Sequence, residues 1–142
     1  MGASANPHWP GRRGYLPEEP DFTNDCKVWA DWLVEVVKDS DALDLLDRLG
    51  CSALTTFFTH GMDEAEIEWV SPTDLSQAAR IVSHLLAERA PEVDYLAELY
   101  GRSRYQPADP HGRLSTDLAD IAKIADFVTK HGVEQMTMEV NW

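Results

Sequence analysis

One stretch of this sequence has residue types that could bind a metal. His60 is followed by Asp63, Glu64 and Glu66, so an imidazole and three carboxylates come within one short segment. Zinc sites normally include a second nitrogen or sulfur ligand, and this segment offers none at a suitable spacing. The pattern is more typical of a solvated acidic loop, and we predict that the protein holds no metal or cofactor.

A second set of chemically capable residues lies in a segment rich in proline and glycine. Arg102, Arg104 and His111 are close together in sequence there. A small enzyme with a site formed by these three residues, or by His60 with Asp63, is one interpretation of the chain. Neither set has the spacing of a known catalytic motif, and no P-loop, GxGxxG, GxSxG, HExxH or EF-hand pattern is present. The residues favour a protein that is not an enzyme.

The charge of the chain departs furthest from that of an average protein. The formal net charge is −13, and the sequence isoelectric point is about 4.6. Binding to nucleic-acid phosphates or to an anionic membrane surface requires positive charge, so neither is a predicted partner. The acidity lies mainly in residues 21–70, where twelve Asp and Glu against three Lys and Arg give a net charge of −9.

Two triplets of carboxylates in this acidic half form the predicted partner-binding surface. They are Asp41, Asp44 and Asp47, and Glu64, Glu66 and Glu68. A spacing of three suits the outer face of a helix, and a spacing of two suits one face of a strand. Such faces usually keep a protein soluble, but they would also attract a basic partner protein. Because a strand is the stiffer support, we expect the glutamates to contribute more to binding.

The two cysteines indicate structural thiols. Cys26 lies on the apolar face of a predicted helix, Cys51 follows a helix-ending Gly50, and neither has a neighbour at CxxC spacing. Two cysteines are too few for a disulfide scaffold in a domain of this size. We expect two buried, reduced thiols that pack as small hydrophobic side chains, with a disulfide between them as the alternative.

The C-terminal part of the chain is predicted to form a helix and a strand that hold the candidate sites in place. Apolar residues spaced three and four apart predict an amphipathic helix over residues 115–131, with Ser115 or Thr116 as the N-cap. Asp117 and Asp120 then fall near the start of the helix, where the helix dipole favours negative charge.

The residues after this helix predict a strand. Gly132 is a helix stop signal, and residues 133–142 alternate between apolar and polar side chains. The apolar set is Met136, Met138, Val140 and Trp142. Ile67 and Trp69 alternate with glutamates in the same way, so residues 66–70 are the expected neighbouring strand in a small sheet.

Other helices are indicated upstream. The strongest signal is Ser71-Pro72-Thr73-Asp74, which places Ser71 at an N-cap and Pro72 at the first helical position, with the helix continuing to about residue 90. Further helices are expected over residues 23–38, 42–49 and 91–101. Residues 51–59 fit either a helix or a strand, and we prefer the helix.

The whole chain is predicted to be one α+β domain, residues 1–142, with five or six helices on a small sheet that includes the C-terminal strand. Residues 1–21 contain four of the eight prolines and form a predicted N-terminal arm that lies across the domain. The chain has no apolar run of about 20 residues and no signal-peptide pattern. We expect a cytoplasmic protein.

The order of elements in the second half resembles a known family. The sequence Trp69-Val70-Ser71-Pro72-Thr73-Asp74-Leu75, followed by a long helix, a loop with aromatic residues, a helix and a terminal strand, is similar to the bacterial YfbM-like domain of unknown function. The resemblance covers residues 66–142. It implies a bacterial cytoplasmic α+β protein, and it carries no catalytic residues.

Three functions are compatible with these observations. The leading hypothesis is a non-enzymatic cytoplasmic module that binds another protein through its acidic surface, in one form an immunity protein that neutralises a basic toxin domain. The small enzyme described above is the second. The third is a subunit of a homo-oligomer with no separate activity.

Overall fold

The computed structural model describes residues 4–14, 16–56, 58–59 and 63–141. Its elements in chain order are β1 (Ser4–His8), α1 (Cys26–Val36), α2 (Ser40–Arg48), β2 (Phe58–Thr59), α3 (Pro72–Ala87), α4 (Asp94–Gly101), α5 (Pro110–Lys130) and β3 (Thr137–Asn141). Short 3₁₀ turns occur at Ser52–Thr55, Glu64–Glu66 and Pro91–Val93. The predicted α+β class is confirmed, with five helices in the described residues and a small sheet that includes the C-terminal strand.

Side-chain caps decide where four of these helices begin. The carboxylate of Asp25 accepts from the N–H of Lys27, and that of Asp39 accepts from the N–H of Ala42, each at 3.0 Å. As predicted, Ser71 caps α3, with its hydroxyl 3.4 Å from the N–H of Asp74. Each cap satisfies an N–H that has no partner inside its helix.

The start of α5 corrects the sequence prediction. Asp109 is the N-cap, and Pro110 occupies the first turn, so the helix begins five residues before Ser115. Proline suits this position because its fixed φ is already helical and its missing N–H removes no hydrogen bond. The Asp109-Pro110 pair has the same cap pattern as Ser71-Pro72, although the proline and glycine content around it is typical of a loop.

The described sheet has three strands in the order β1-β3-β2. β3 is the central strand and pairs antiparallel with β1, so that Ala5 lies opposite Val140 and His8 opposite Thr137. β2 pairs with β3 in parallel at Glu139 and Val140. The C-terminal strand therefore joins the beginning of the chain to its middle, while Trp142 lies outside the described residues.

The predicted strand over residues 66–70 is wrong. Glu64–Glu66 is a 3₁₀ turn, in which the N–H of Ile67 donates to the carbonyl of Glu64 at 3.2 Å. Only Val70 reaches the sheet, through a single antiparallel bridge to Met136. β2 pairs with β3 at Glu139 and Val140, and residues 66–69 form no ladder with it. The alternating pattern at residues 66–69 reflects the burial of Ile67 between exposed glutamates.

The N-terminal arm supplies the strand that takes the other edge of β3. Residues 4–8 are in the sheet, and the chain then turns so that Arg12 folds back onto it. The Arg12 guanidinium donates to the carbonyl of Pro7, pairs with Glu19 and lies 4.5 Å from the ring centre of Trp9. The predicted arm therefore has a strand near its start, paired with β3.

The ambiguous segment around residues 51–59 contains both kinds of structure. Ser52–Thr55 forms a 3₁₀ turn, which agrees with the preference for a helix, and β2 then follows. Phenylalanine and threonine have high strand propensity, and residues 58–59 form a strand because they can pair with the edge of β3.

A continuous cluster of buried side chains runs through all five helices and β3. Its best-defined polar contact is the indole N–H of Trp32, which donates to the carbonyl of Leu96 at 3.0 Å and joins α1 to α4. Cys26 and Cys51 are both buried and free, which confirms the prediction of reduced thiols. Among the described helices, none has the length and apolar character needed to cross a membrane.

Candidate functional site

The aspartate triplet lies along one wall of a surface groove between α2 and the start of α4. The groove has a volume of about 620 Å³. It is lined by Asp41, Asp44, Leu45, Asp47, Arg48, Pro91, Glu92 and Tyr95. As predicted, Asp41, Asp44 and Asp47 are all exposed on the outer side of α2.

A hydrogen bond beside the groove joins the start of α2 to α4. The hydroxyl of Tyr95 on α4 donates to Oδ2 of Asp39 at 2.5 Å, and Oδ1 of the same carboxylate caps α2 through Ala42. Donation by the Tyr95 hydroxyl, followed by the Ala42 N–H, lowers the pKa of Asp39. One carboxylate thus starts α2 and fixes it to α4.

The chemistry of the groove combines negative rims with an apolar floor. The four acidic side chains Asp41, Asp44, Asp47 and Glu92 against Arg48 give a formal net charge of −3. Half-buried Leu45 and Tyr95, with Pro91, supply apolar surface between them. Long cationic side chains match this combination, because their methylene stems pack on apolar groups while the charged end reaches a carboxylate.

The glutamate triplet does not line this groove. Glu64, Glu66 and Glu68 are exposed, but they lie in and after the 3₁₀ turn and not on a strand. Glu64 already contacts the imidazole of His8 at 3.2 Å, and the His8 ring stacks on Trp69 with 5.7 Å between ring centres. The expectation that a stiff strand presents these carboxylates therefore loses its structural basis.

The arginine and histidine set proposed for an enzyme is divided among three separate ion pairs. Each of its members is paired with a carboxylate from a different place: Arg102 with Glu98, Arg104 with Asp31, and His111 with Asp94. Two of the carboxylates, Asp94 and Glu98, lie on α4, and the third, Asp31, lies on α1. Each of the three cationic groups therefore already has a carboxylate partner.

The candidate metal segment also fails to form a site within the described residues. His60 lies outside them, and Asp63, Glu64 and Glu66 are exposed. No group of three or more His, Cys, Asp or Glu in the described ranges is arranged to hold a metal ion. His84 and His131 are exposed on their helices, His84 beside Glu88 and His131 with Nδ1 2.9 Å from the carbonyl of Phe127.

A smaller recess lies on the exposed face of the β1–β3 pair. It measures about 280 Å³, and its polar walls include Asn6, His8, Arg12, Glu139 and Asn141. Groups of both signs and two carboxamides are mixed here, and Asn141 donates to Glu139 at 3.4 Å. This composition favours no single class of ligand.

The sequence prediction missed a buried polar network on α5. Asp117 is completely buried and Asp120 is 4% exposed, whereas the sequence predicted both near the helix start, where the helix dipole favours negative charge. With the helix beginning at Pro110, Asp117 lies in its third turn and faces inward. Its spacing was the available signal, because it follows Leu114 by three and precedes Ile121 by four, which places it on the apolar stripe.

The network holds the residues that precede α1. Asp120 accepts from the backbone N–H of Thr23 at 2.8 Å and from its hydroxyl at 3.3 Å. Asp117 accepts from the Asn24 amide at 3.4 Å and from the Tyr100 hydroxyl at 2.5 Å. These contacts explain why α1 begins at Cys26, later than predicted.

Burial changes the proton affinity of several groups around this network. It raises the pKa of Asp117 to about 6, although hydrogen bonds from Tyr100 and Asn24 and the charge of Arg113 act in the opposite direction. Burial and the charges of Asp25 and Asp21 raise the pKa of the Cys26 thiol to about 11. A protonated thiol is a poor nucleophile, so Cys26 is a structural residue.

Comparison of the chain with protein-family models, with curated proteins and with solved structures finds no match. The resemblance of residues 66–142 to the YfbM-like domain stays a prediction, and no site residue is taken from it. The candidate site therefore depends on the geometry and charge of the groove between α2 and α4.

Proposed function

We propose that this chain is a non-enzymatic, cytoplasmic binding module that captures a basic segment of another protein in the groove between α2 and α4. The observation that carries the proposal is the lining of the groove, which joins a formal net charge of −3 to an apolar floor at Leu45, Pro91 and Tyr95. In its most specific form the partner is a bacterial toxin domain with a basic surface, and this chain is its immunity protein.

The shape of the groove supports one way of binding. An arginine or lysine stem would lie on Leu45 and Pro91, with its charged end between the α2 aspartates and Glu92. The Tyr95 ring offers a face on which a guanidinium can stack, an interaction worth about 0.5–1 kcal/mol at exposed sites. Arg48 also lines the groove and would repel a cationic side chain placed next to it. A basic segment would therefore bind in one orientation.

The net charge of the molecule supports the same class of partner. A charge of −13 produces a long-range field that attracts basic proteins and repels acidic ones. This field speeds encounter, while the groove supplies the short-range contacts that distinguish one basic partner from another.

The test uses two triple variants that change the net charge by the same amount. Asp41→Lys, Asp44→Lys and Asp47→Lys reverse the groove wall, and Glu64→Lys, Glu66→Lys and Glu68→Lys reverse the exposed glutamates elsewhere. All six residues are exposed, so both variants should fold, which circular dichroism checks. Wild type and both variants are used for pull-down from the native lysate, and the captured partner is titrated calorimetrically with each.

We expect the aspartate variant to lose capture and the glutamate variant to keep most of it. This ranking reverses the expectation from sequence, because the aspartates line the groove and the glutamates lack the strand that was to present them. Equal losses would mean that only the overall field matters. Equal, salt-insensitive affinities for all three proteins would reject the groove and leave the carboxylates as a solubilising surface.

A further inference from the structure

We propose that the buried network around Asp117 is a pH-controlled latch, which fastens the segment before α1 to α5 when Asp117 is protonated and loosens it when Asp117 ionises. The latch consists of Asp117 and Asp120 on α5, the Tyr100 hydroxyl on α4, and Thr23 with Asn24. It is separate from the groove and adds a conformational response to the proposed binding function.

The charges that face Asp117 do not balance when it is ionised. Asp120 lies on the same helix and is also buried, and Tyr100 from α4 is a neutral donor. The cation that acts on the pair is Arg113, whose buried Nε has no hydrogen-bond partner in the described residues. An ionised Asp117 would thus be a second buried carboxylate beside a single guanidinium, and an uncompensated buried charge is costly.

The first residue of α1, Cys26, also lies near Asp117. The Cys26 thiol at the start of α1 is influenced by Asp117 and by Asp25 and Asp21, which lie on the same segment as Thr23. The thiol is neutral when protonated and would be negative if ionised, so it cannot offset the charge of an ionised Asp117. Burial and the neighbouring carboxylate of Asp120 therefore oppose the ionisation of Asp117.

The segment at residues 23–24 is the part that can move at least cost. Thr23 is exposed and Asn24 is half-buried, and neither belongs to a helix. By contrast, Tyr100 is fully buried in α4, which is joined to α1 through the Trp32–Leu96 hydrogen bond. Local opening favours the least buried contacts, so displacement of residues 23–24 would admit water to Asp117 while the core stays packed.

The direction of the response follows from the raised pKa of Asp117. Its value of about 6 in the closed state compares with about 3.9 for a hydrated aspartate. The closed state therefore binds the proton more tightly, is favoured in acid and weakens as the pH rises through 6. These two pKa values give an equilibrium constant for opening that increases about tenfold between pH 5 and pH 8.

The Thr23 amide reports this opening directly, because its N–H donates to Asp120. Its hydrogen exchange is measured by NMR at pH 5 and pH 8, and each rate is divided by the rate expected for an unstructured chain at that pH. We expect the protection of Thr23 to fall about tenfold. The indole N–H of Trp32 is the internal reference, because local opening leaves it in place. If the opening is local, Thr23 should exchange faster than Trp32 at both pH values.

Two matched α5 variants test the assignment to Asp117. Asp117→Asn cannot ionise but can still accept from Tyr100, and it should remove the pH dependence of Thr23 protection. Asp126→Asn changes a carboxylate on the same helix that pairs with Arg80 near the surface, and it should leave the dependence intact. The proposal is overturned if wild-type Thr23 protection is equal at both pH values, or if Asp117→Asn retains the tenfold change.

A third variant keeps the test decisive if Asp117→Asn does not fold. Tyr100→Phe removes a donor that lowers the pKa of Asp117, so the midpoint of the change in Thr23 protection should move to higher pH. A midpoint that does not move, or that moves to lower pH, would contradict the latch.

Discussion

Asp117 gives the free energy of unfolding a pH dependence in a range where ordinary carboxyl groups do not titrate. Its pKa is raised to about 6 in the folded protein, so the folded state binds its proton more tightly than the unfolded state does. This contribution is fully present below the unfolded pKa of about 3.9 and is lost as the pH rises through 6.

We expect this residue to reduce the unfolding free energy by roughly 1.4 kcal/mol between pH 5 and pH 8. Urea titrations give the change in unfolding free energy between pH 5 and pH 8 for wild type and for Asp117→Asn. Subtracting the change in the variant from that in wild type isolates the contribution of Asp117 from that of other groups. If the two proteins lose the same stability over this range, another group is responsible.

Ser71 is a residue whose contribution can be isolated more simply. Ser71→Ala removes the acceptor for the N–H of Asp74 and should cost about 1 kcal/mol of unfolding free energy. Ser40→Ala is the matched control, because Ser40 is exposed at the start of α2, where Asp39 supplies the cap. An unchanged urea midpoint for Ser71→Ala would show that the helix start is held by packing alone.

At the scale of elements, caps and periodicity predicted the helices better than the sheet. The start of α3 was predicted because Ser71 and Pro72 act locally, within one turn of the residues they cap. The strand at residues 66–70 was not, because strand pairing depends on which distant segments the fold places at the edges of β3. Residues 58–59 and residues 4–8 pair with the two edges of β3. The sequence pattern within residues 66–70 does not indicate that other segments take these positions.

The same limit applies to the candidate site. The exposed aspartates could be predicted from their spacing on α2, but the opposite wall at Pro91, Glu92 and Tyr95 comes from a distant segment. The hydrogen bond between Tyr95 and Asp39 joins these segments, and nothing in the sequence near either residue indicates the other.

Tyr95→Phe tests how far that hydrogen bond shapes the groove. Donation by Tyr95 is the largest cause that lowers the pKa of Asp39, so the variant should raise this pKa towards its ordinary value. An aspartate with a lowered pKa stabilises the fold above its unfolded pKa and loses this effect in acid. Acid unfolding of Tyr95→Phe should therefore begin at higher pH than in wild type.

Carboxyl NMR titration of Asp39 gives the pKa, and circular dichroism gives the acid transition. Tyr105→Phe is the control, because Tyr105 is an exposed tyrosine outside the groove. If Tyr95→Phe and Tyr105→Phe unfold at the same pH, the hydrogen bond does not hold α2 to α4.

β3 is the element on which the sheet depends, because both other described strands pair with it. A chain that stops after Lys130 loses the buried side chains of Met136, Met138 and Val140, each worth roughly 1.5–3 kcal/mol. We expect no cooperative unfolding transition and little soluble protein. Gln135→Ala in the full chain is the control for an exposed change nearby, and a truncated chain that melts cooperatively would show that β3 is peripheral.

At the scale of the whole molecule, the net charge of −13 predicts how the proposed complex responds to salt. Between about 0.05 and 0.5 M salt the Debye length falls from roughly 14 to 4 Å, so attraction to a basic partner is screened. Stopped-flow mixing should show association slowing much more than dissociation speeds up. An association rate independent of salt would mean that the field of the molecule does not guide its partner.

The pairing of β1 with β3 has a consequence for how the protein is made. The ribosome produces β1 before all five described helices, and its partner strand only after them. Local contacts allow the helices to form earlier, whereas β1 must wait for a distant segment. During that wait Pro7 limits what the strand can pair with, because it offers no N–H to another chain. The sheet is therefore expected to close as a late step of folding, after the helices have emerged, and a stalled ribosome that withholds residues 137–141 would leave the N-terminal strand open to chaperones.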